Sequence, residues 1–117
     1  MAGMAITLLL IAISIPMYKS AMLRSRETTL TVNLGSIRDV IKLYTKEKKR
    51  APQSLQDLVD ASYFRQLPID PITNSNSTWQ PVIETVEISP GKTDRGITDV
   101  QSGSNSISSE GTSYRTW

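Results

Sequence analysis

The 117-residue chain has no cysteine and no histidine. These two absences remove disulfide frameworks, thiolate chemistry, the usual zinc sites and every histidine-dependent catalytic triad. A chain without thiols is also indifferent to redox compartment, so cysteine usage places it nowhere in particular. Charge of one sign is scarce as well. Thirteen lysines and arginines stand against eleven acids, a net charge of +2, which gives no basis for a nucleic-acid partner. The acids Asp57, Asp60, Asp70, Glu84, Glu87, Asp94, Asp99 and Glu110 show no recognisable catalytic pairing, and so small a domain offers no cleft to raise a carboxylate's pKa. The sequence therefore predicts no catalytic residues and no enzyme.

What the chain does have is an apolar opening. Met1–Tyr18 reads MAGMAITLLLIAISIPMY, and the first charge is Lys19. As a helix this run is about 27 Å long, just enough to enter a bilayer. No basic segment precedes it and no A-x-A site follows, so it reads as an anchor and not as a cleaved signal peptide. Pro16 lies inside the run, where it removes one backbone hydrogen bond and is expected to kink or locally melt the helix.

Past Lys19 the apolar residues become one-sided. Leu23, Leu30, Leu34, Ile37, Ile41 and Tyr44 recur at helical spacing, while Arg24, Arg26, Arg38, Asp39 and Lys42 fall largely off the stripe. One continuous helix is thus expected in two environments, with membrane or neighbouring stems around its start and its own globular head along its later half. The closing run Lys46–Arg50 places cations at the helix C-terminus, where the macrodipole favours them.

Ala51-Pro52 ends that helix. Ser54, with Asp57 three residues on, begins a short helix near 54–62 with Leu55, Leu58 and Val59 inward. The prolines of Leu67–Asn74 hold an irregular connection in which Asp70 and Asn74 can close local turns. Period-two alternation predicts a strand over 79–89, with Pro81 at its start or on an edge. Pro90-Gly91 is a turn, Lys92–Gly96 reads as a polar loop, and 97–101 as a second strand, a hairpin with a loop of medium length. The rest, 102–117, is poor in core formers, yet Tyr114 and Trp117 predict an irregular loop tied down by aromatics. Ser102, the carbonyls around Gly103, Asn105 and Glu110 offer oxygen ligands of the kind calcium takes, although no EF-hand spacing is present.

The fold expected is α+β. Residues 1–23 form an apolar N-terminal helix; residues 24–117 form a head in which the stem's amphipathic half packs on a small antiparallel sheet, with the irregular C-terminal loop beside it. In order and spacing these features resemble the type IV pilin-like superfamily, most closely the major pseudopilins of type II secretion systems. The residues that carry the resemblance are Ile13–Tyr18, Leu34–Tyr44, Ala51–Val59, Leu67–Pro71, Asp99–Ser104 and the closing Trp117. It covers nearly the whole chain, and its specificity lies in the order of the motifs and not in any one of them.

The resemblance implies a homopolymer. Subunits would leave the inner membrane, which each spans once, for a helical filament, periplasmic or extracellular. Its core would be built from Ile6, Leu9, Leu10, Ile13, Pro16, Tyr18 and Leu23, the stem melting at Pro16. Minor pseudopilins and an assembly machinery would be partners, and calcium would occupy the loop of Ser102, Gly103, Asn105 and Glu110. The family's methylated N-terminal phenylalanine, the glycine before it and the glutamate after it have no counterpart here. Counted back from Pro16, Met1 falls just past that glutamate, and the natural chain is expected to start upstream. A different class of function shares the anchor and the head: a monomeric, membrane-anchored extracytoplasmic binding module, which needs no continuous helix joining the two.

Overall fold

The computed structural model describes residues 2–117, with side chains from Lys19 onward. Helix α1 spans Ala2–Lys48, α2 spans Gln56–Asp60, strands β1 and β2 span Gln80–Ser89 and Lys92–Gln101, and a 3-10 turn covers Tyr114–Thr116. The protein is α+β, one long helix with a two-stranded antiparallel sheet. The side chains assigned to a filament core, Ile6, Leu9, Leu10, Ile13, Pro16 and Tyr18, lie outside the described residues, as does any kink at Pro16; only Leu23 of that set is described, and it is half-buried. Among the described residues no helix is long and apolar enough to cross a membrane.

The stem's apolar stripe makes the core. Leu30, Leu34, Ile37, Ile41 and Tyr44 are buried together with Leu58, Trp79, Ile97, Val100 and Tyr114. With spacings of four and three these stem residues keep to one face, and the head closes over that face alone. Truncating Leu34 or Ile37 to alanine is expected to cost about 2–5 kcal/mol. Lys46 and Lys48 sit in the last turn of α1, and Lys49 ends it in a left-handed conformation (φ 53°), a position more often filled by glycine.

The segment after α1 runs along the outer edge of β2. The Ile97 amide donates to the Pro52 carbonyl at 2.7 Å, and Gln53 Nε2 to the Arg95 carbonyl at 2.8 Å. Helix α2 is shorter than the 54–62 expected. Only half of the capping box forms: the Asp57 carboxylate accepts from the Gln53 and Ser54 amides, while no side chain caps the helix from its N-cap position. The chain around it closes as turns, with Ser62 at positive φ (66°).

The hairpin departs from expectation at its tip. Lys92–Gly96, read as a polar loop, is the first half of β2. Ser89 pairs directly with Lys92, so the connection is the two residues Pro90-Gly91, with Gly91 at φ 77° as the second position of a Pro-Gly turn requires. A bulge at Ile88, beside the turn, takes up the mismatch between such a turn and the twist of the strands. Lys92–Arg95 are polar because this end of the hairpin lies in solvent, and Asp94 has a specific task there, accepting the Ala51 amide at 2.8 Å.

Candidate functional site

The residues from Ser102 to Trp117 bury few apolar groups, yet they hold one conformation through hydroxyls. Ser102 Oγ accepts the amide of Ser104, Ser104 Oγ that of Ser106, and Ser108 Oγ that of Glu110, each two residues on. Spaced this way, serines supply the backbone with local partners that a sheet or helix would otherwise provide. The Ser108 amide closes on the Thr112 carbonyl, Ser113 caps the 3-10 turn, and Trp117 packs against Tyr114 with the rings tilted by 60° and their centroids 5.3 Å apart. The expectation of an ordered loop tied down by its aromatics agrees with this arrangement.

Three side chains fasten the loop to the head. Asp70, fully buried, accepts the Ser102 hydroxyl at 2.6 Å and the Gly103 amide at 3.3 Å on Oδ2, while Oδ1 accepts the Ile72 and Thr73 amides. Gly103 leaves no room for a side chain, since a Cβ there would strike the Thr78 carbonyl. Arg38 reaches from the stem to Asp99 Oδ1 at 2.7 Å, to the Val100 carbonyl at 3.0 Å and to the main-chain oxygen of Trp117 at 2.8 Å. Glu27, 6% exposed, accepts the Ser109 amide at 2.9 Å and the Tyr114 hydroxyl at 3.0 Å on Oε1, and the Ser109 hydroxyl at 2.7 Å on Oε2.

Glu27 occupies the place in the stripe between Leu23 and Leu30 that an apolar count passes over. Burial pushes its carboxyl up, but the Ser109 hydroxyl and amide, the Tyr114 hydroxyl and the nearby Arg24 outweigh that, and it lies below its ordinary value. Tyr114 is raised in turn, first by burial and then by its hydrogen bond to that carboxylate. Among the described residues no buried side-chain nitrogen or oxygen lacks a partner.

Of the oxygens read as calcium ligands, two have protein partners, the Ser102 hydroxyl and Asn105 Oδ1. Ser102 and Gly103 turn to Asp70, Asn105 Oδ1 accepts from Arg115 at 3.2 Å, and Glu110 lines a different groove with Arg24 and Glu27. A guanidinium therefore stands beside Asn105, and the four residues as placed do not fit one metal ion. Among the described residues no three His, Cys, Asp or Glu side chains cluster together. The organising carboxylates are Asp70 and Glu27, and neither was singled out as a ligand in the sequence. Asp70 was legible as a turn closer; its long-range bonds to Ser102 and Gly103 were not. Glu27 had one signal, an acid on the buried face, four residues after Leu23 and three before Leu30.

Several other acids also have partners within the chain: Asp57 at the start of α2, Asp94 at Ala51 and Asp99 on Arg38. The candidate functional surface is thus the stem itself. Its first buried side chain among those described is Glu27, and its outward face carries Met22, Val32 and Leu43, exposed by 40%, 62% and 42%. Comparison with family models, with characterised proteins and with solved structures finds no match to this chain.

Proposed function

We propose that the protein is a pilin-like structural subunit that polymerises through its N-terminal helix into a helical filament of the type II secretion or type IV pilus kind. The observation that carries this reading is the division of α1. The helix spans Ala2–Lys48, but the head buries it only from Glu27 onward among the described residues, and the sequence Met1–Tyr18 holds no charge. A domain of this size has no use in water for so long an uncharged apolar stretch at the start of its helix. Bilayer hydrocarbon and a bundle of identical stems are the two environments that would cover it.

The bonds of Glu27 and Arg38 support the same reading. They clamp the C-terminal loop onto the stem, so that a pull or a packing force on the helix is borne by the head as one body. In the filament, the stems would form the core and the heads the outer surface, and the exposed Met22, Val32 and Leu43 would lie toward neighbouring subunits. Before assembly the subunit would span the inner membrane once. Minor subunits and an assembly machinery would be its partners.

Electron microscopy of material sheared from cells that produce the chain with its assembly machinery tests the proposal. Filaments labelled by antibodies against the head are the expected result. Monomers alone, in cells where the protein is stable and membrane-inserted, would instead support the anchored binding module.

A further inference from the structure

Between the uncharged run and the head lie the eight residues Lys19–Arg26, which hold three cations and no acid. Lys19, Arg24 and Arg26 are all exposed, and among the described residues the one ion pair is Arg38 with Asp99. The acid next in sequence, Glu27, is buried with its oxygens taken by Ser109 and Tyr114. The cations are not confined to one side. Arg24 opens on a groove that it shares with Glu110 and Trp117, and Arg26 on another, shared with Asn33 and Ile69. At about 100° per residue these two side chains leave the helix in nearly opposite directions, and Lys19 lies two turns from Arg26 on the same side.

A protein partner docking on a stem reads one face of it. Cations on two opposite sides of the helix match a ligand that lies on both sides of it. The segment's length points the same way, because eight helical residues rise about 12 Å. That is enough to pass through the headgroup layer of one leaflet, whose thickness is about 5–8 Å. We infer that Lys19, Arg24 and Arg26 form a collar that binds the phosphates of anionic phospholipids on the head's side of the membrane. The inference rests on the anchored state of the subunit described above. The collar would hold the unassembled subunit at a fixed depth, with the head just clear of the surface, and those lipids would be shed when the stem enters a filament.

The test uses the full chain reconstituted in phosphatidylcholine vesicles that contain a trace of spin-labelled phosphatidylglycerol or spin-labelled phosphatidylcholine. The fraction of label immobilised by the protein gives the preference for the anionic lipid. A several-fold preference is expected, each cation contributing up to about fivefold at low salt, and raised salt should weaken it. Replacing all three residues (Lys19→Gln, Arg24→Gln, Arg26→Gln) is expected to abolish it, and the corresponding glutamate variant to reverse it. Inorganic phosphate should compete no better than chloride at equal ionic strength; specific displacement by phosphate would assign a free-anion site and overturn the proposal. Equal immobilisation of both lipids by protein that resists alkaline extraction would overturn the collar and leave the anchor standing. Failure of the chain to insert at all would overturn both.

Discussion

The hydroxyl of Tyr114 donates to the carboxylate of Glu27 at 3.0 Å, across a sequence separation of 87 residues. This bond joins the near end of the covered stem to the end of the C-terminal loop, and the Ser109 amide and hydroxyl complete the carboxylate's set. Replacing Glu27 by glutamine keeps the shape but puts an amide donor where donors already point. The loss expected in chemical denaturation is about 2–3 kcal/mol. A double-mutant cycle with Tyr114→Phe should show coupling above about 0.5 kcal/mol.

The same bond has a pH signature. Glu27 in the folded protein lies below its ordinary value of 4.5. Its contribution is therefore fully present above that value and is lost as pH falls through the lowered one. The stability difference between wild type and Glu27→Gln should be constant from neutral pH down to about pH 5 and shrink below it. Denaturation curves collected from pH 7 to pH 2.5 check this; a difference independent of pH would contradict it.

Tyr63 donates to Glu47 at 2.6 Å, and this hydrogen bond, with some burial and the nearby negative charge, pushes its hydroxyl up to about 12. A raised folded value means that the contribution is complete below the ordinary value of 10 and disappears as pH rises through about 12. Ultraviolet titration of the tyrosines should show a late-ionising component that Glu47→Gln moves toward 10.

At Asp70, a buried carboxylate holds four donors without a charged partner. Substituting alanine there leaves the Ser102 hydroxyl and three amides unpaired, with an expected cost of about 3–5 kcal/mol. Gly103→Ala is expected to release the same loop by collision with Thr78. Both variants should show faster amide exchange between Ser102 and Trp117 while the stem amides around Leu34 remain protected.

Much of this was legible in the sequence. Leu30, Leu34, Ile37, Ile41 and Tyr44 could be assigned to one buried face because helical periodicity and burial have the same cause, and alternation located β1 to within a residue. The first half of β2 was not legible, since Lys92–Arg95 pair through their backbones in solvent and no apolar alternation marks them. The loop's anchors were hidden for a different reason. Glu27, Asp70 and Arg38 act on partners 82, 32 and 79 residues away, and only the folded chain brings those groups together. Ser102 reads in the sequence as a cation ligand, whereas in the fold its hydroxyl accepts the Ser104 amide and donates to Asp70.

A chelator separates those two roles. Because Ser102 is engaged by Asp70 and Asn105 by Arg115, excess EDTA should leave the melting temperature of the full chain in detergent within about 1 °C of its value in millimolar calcium. A fall of several degrees on chelation, reversed by calcium, would show that the loop rearranges around a metal.

The division of the stem is the central claim, and thiol protection tests it most directly. The chain has no cysteine of its own, so Leu10→Cys in the apolar run and Gln53→Cys on the exposed head each introduce a single reporter. In sheared, detergent-free, sedimentable material, the head thiol should react with a water-soluble maleimide at once, and the stem thiol only after detergent dissociates the polymer. Equal reaction of the two thiols in the intact fraction, or failure to recover any sedimentable polymer from cells that insert the protein, would contradict a filament built on this helix.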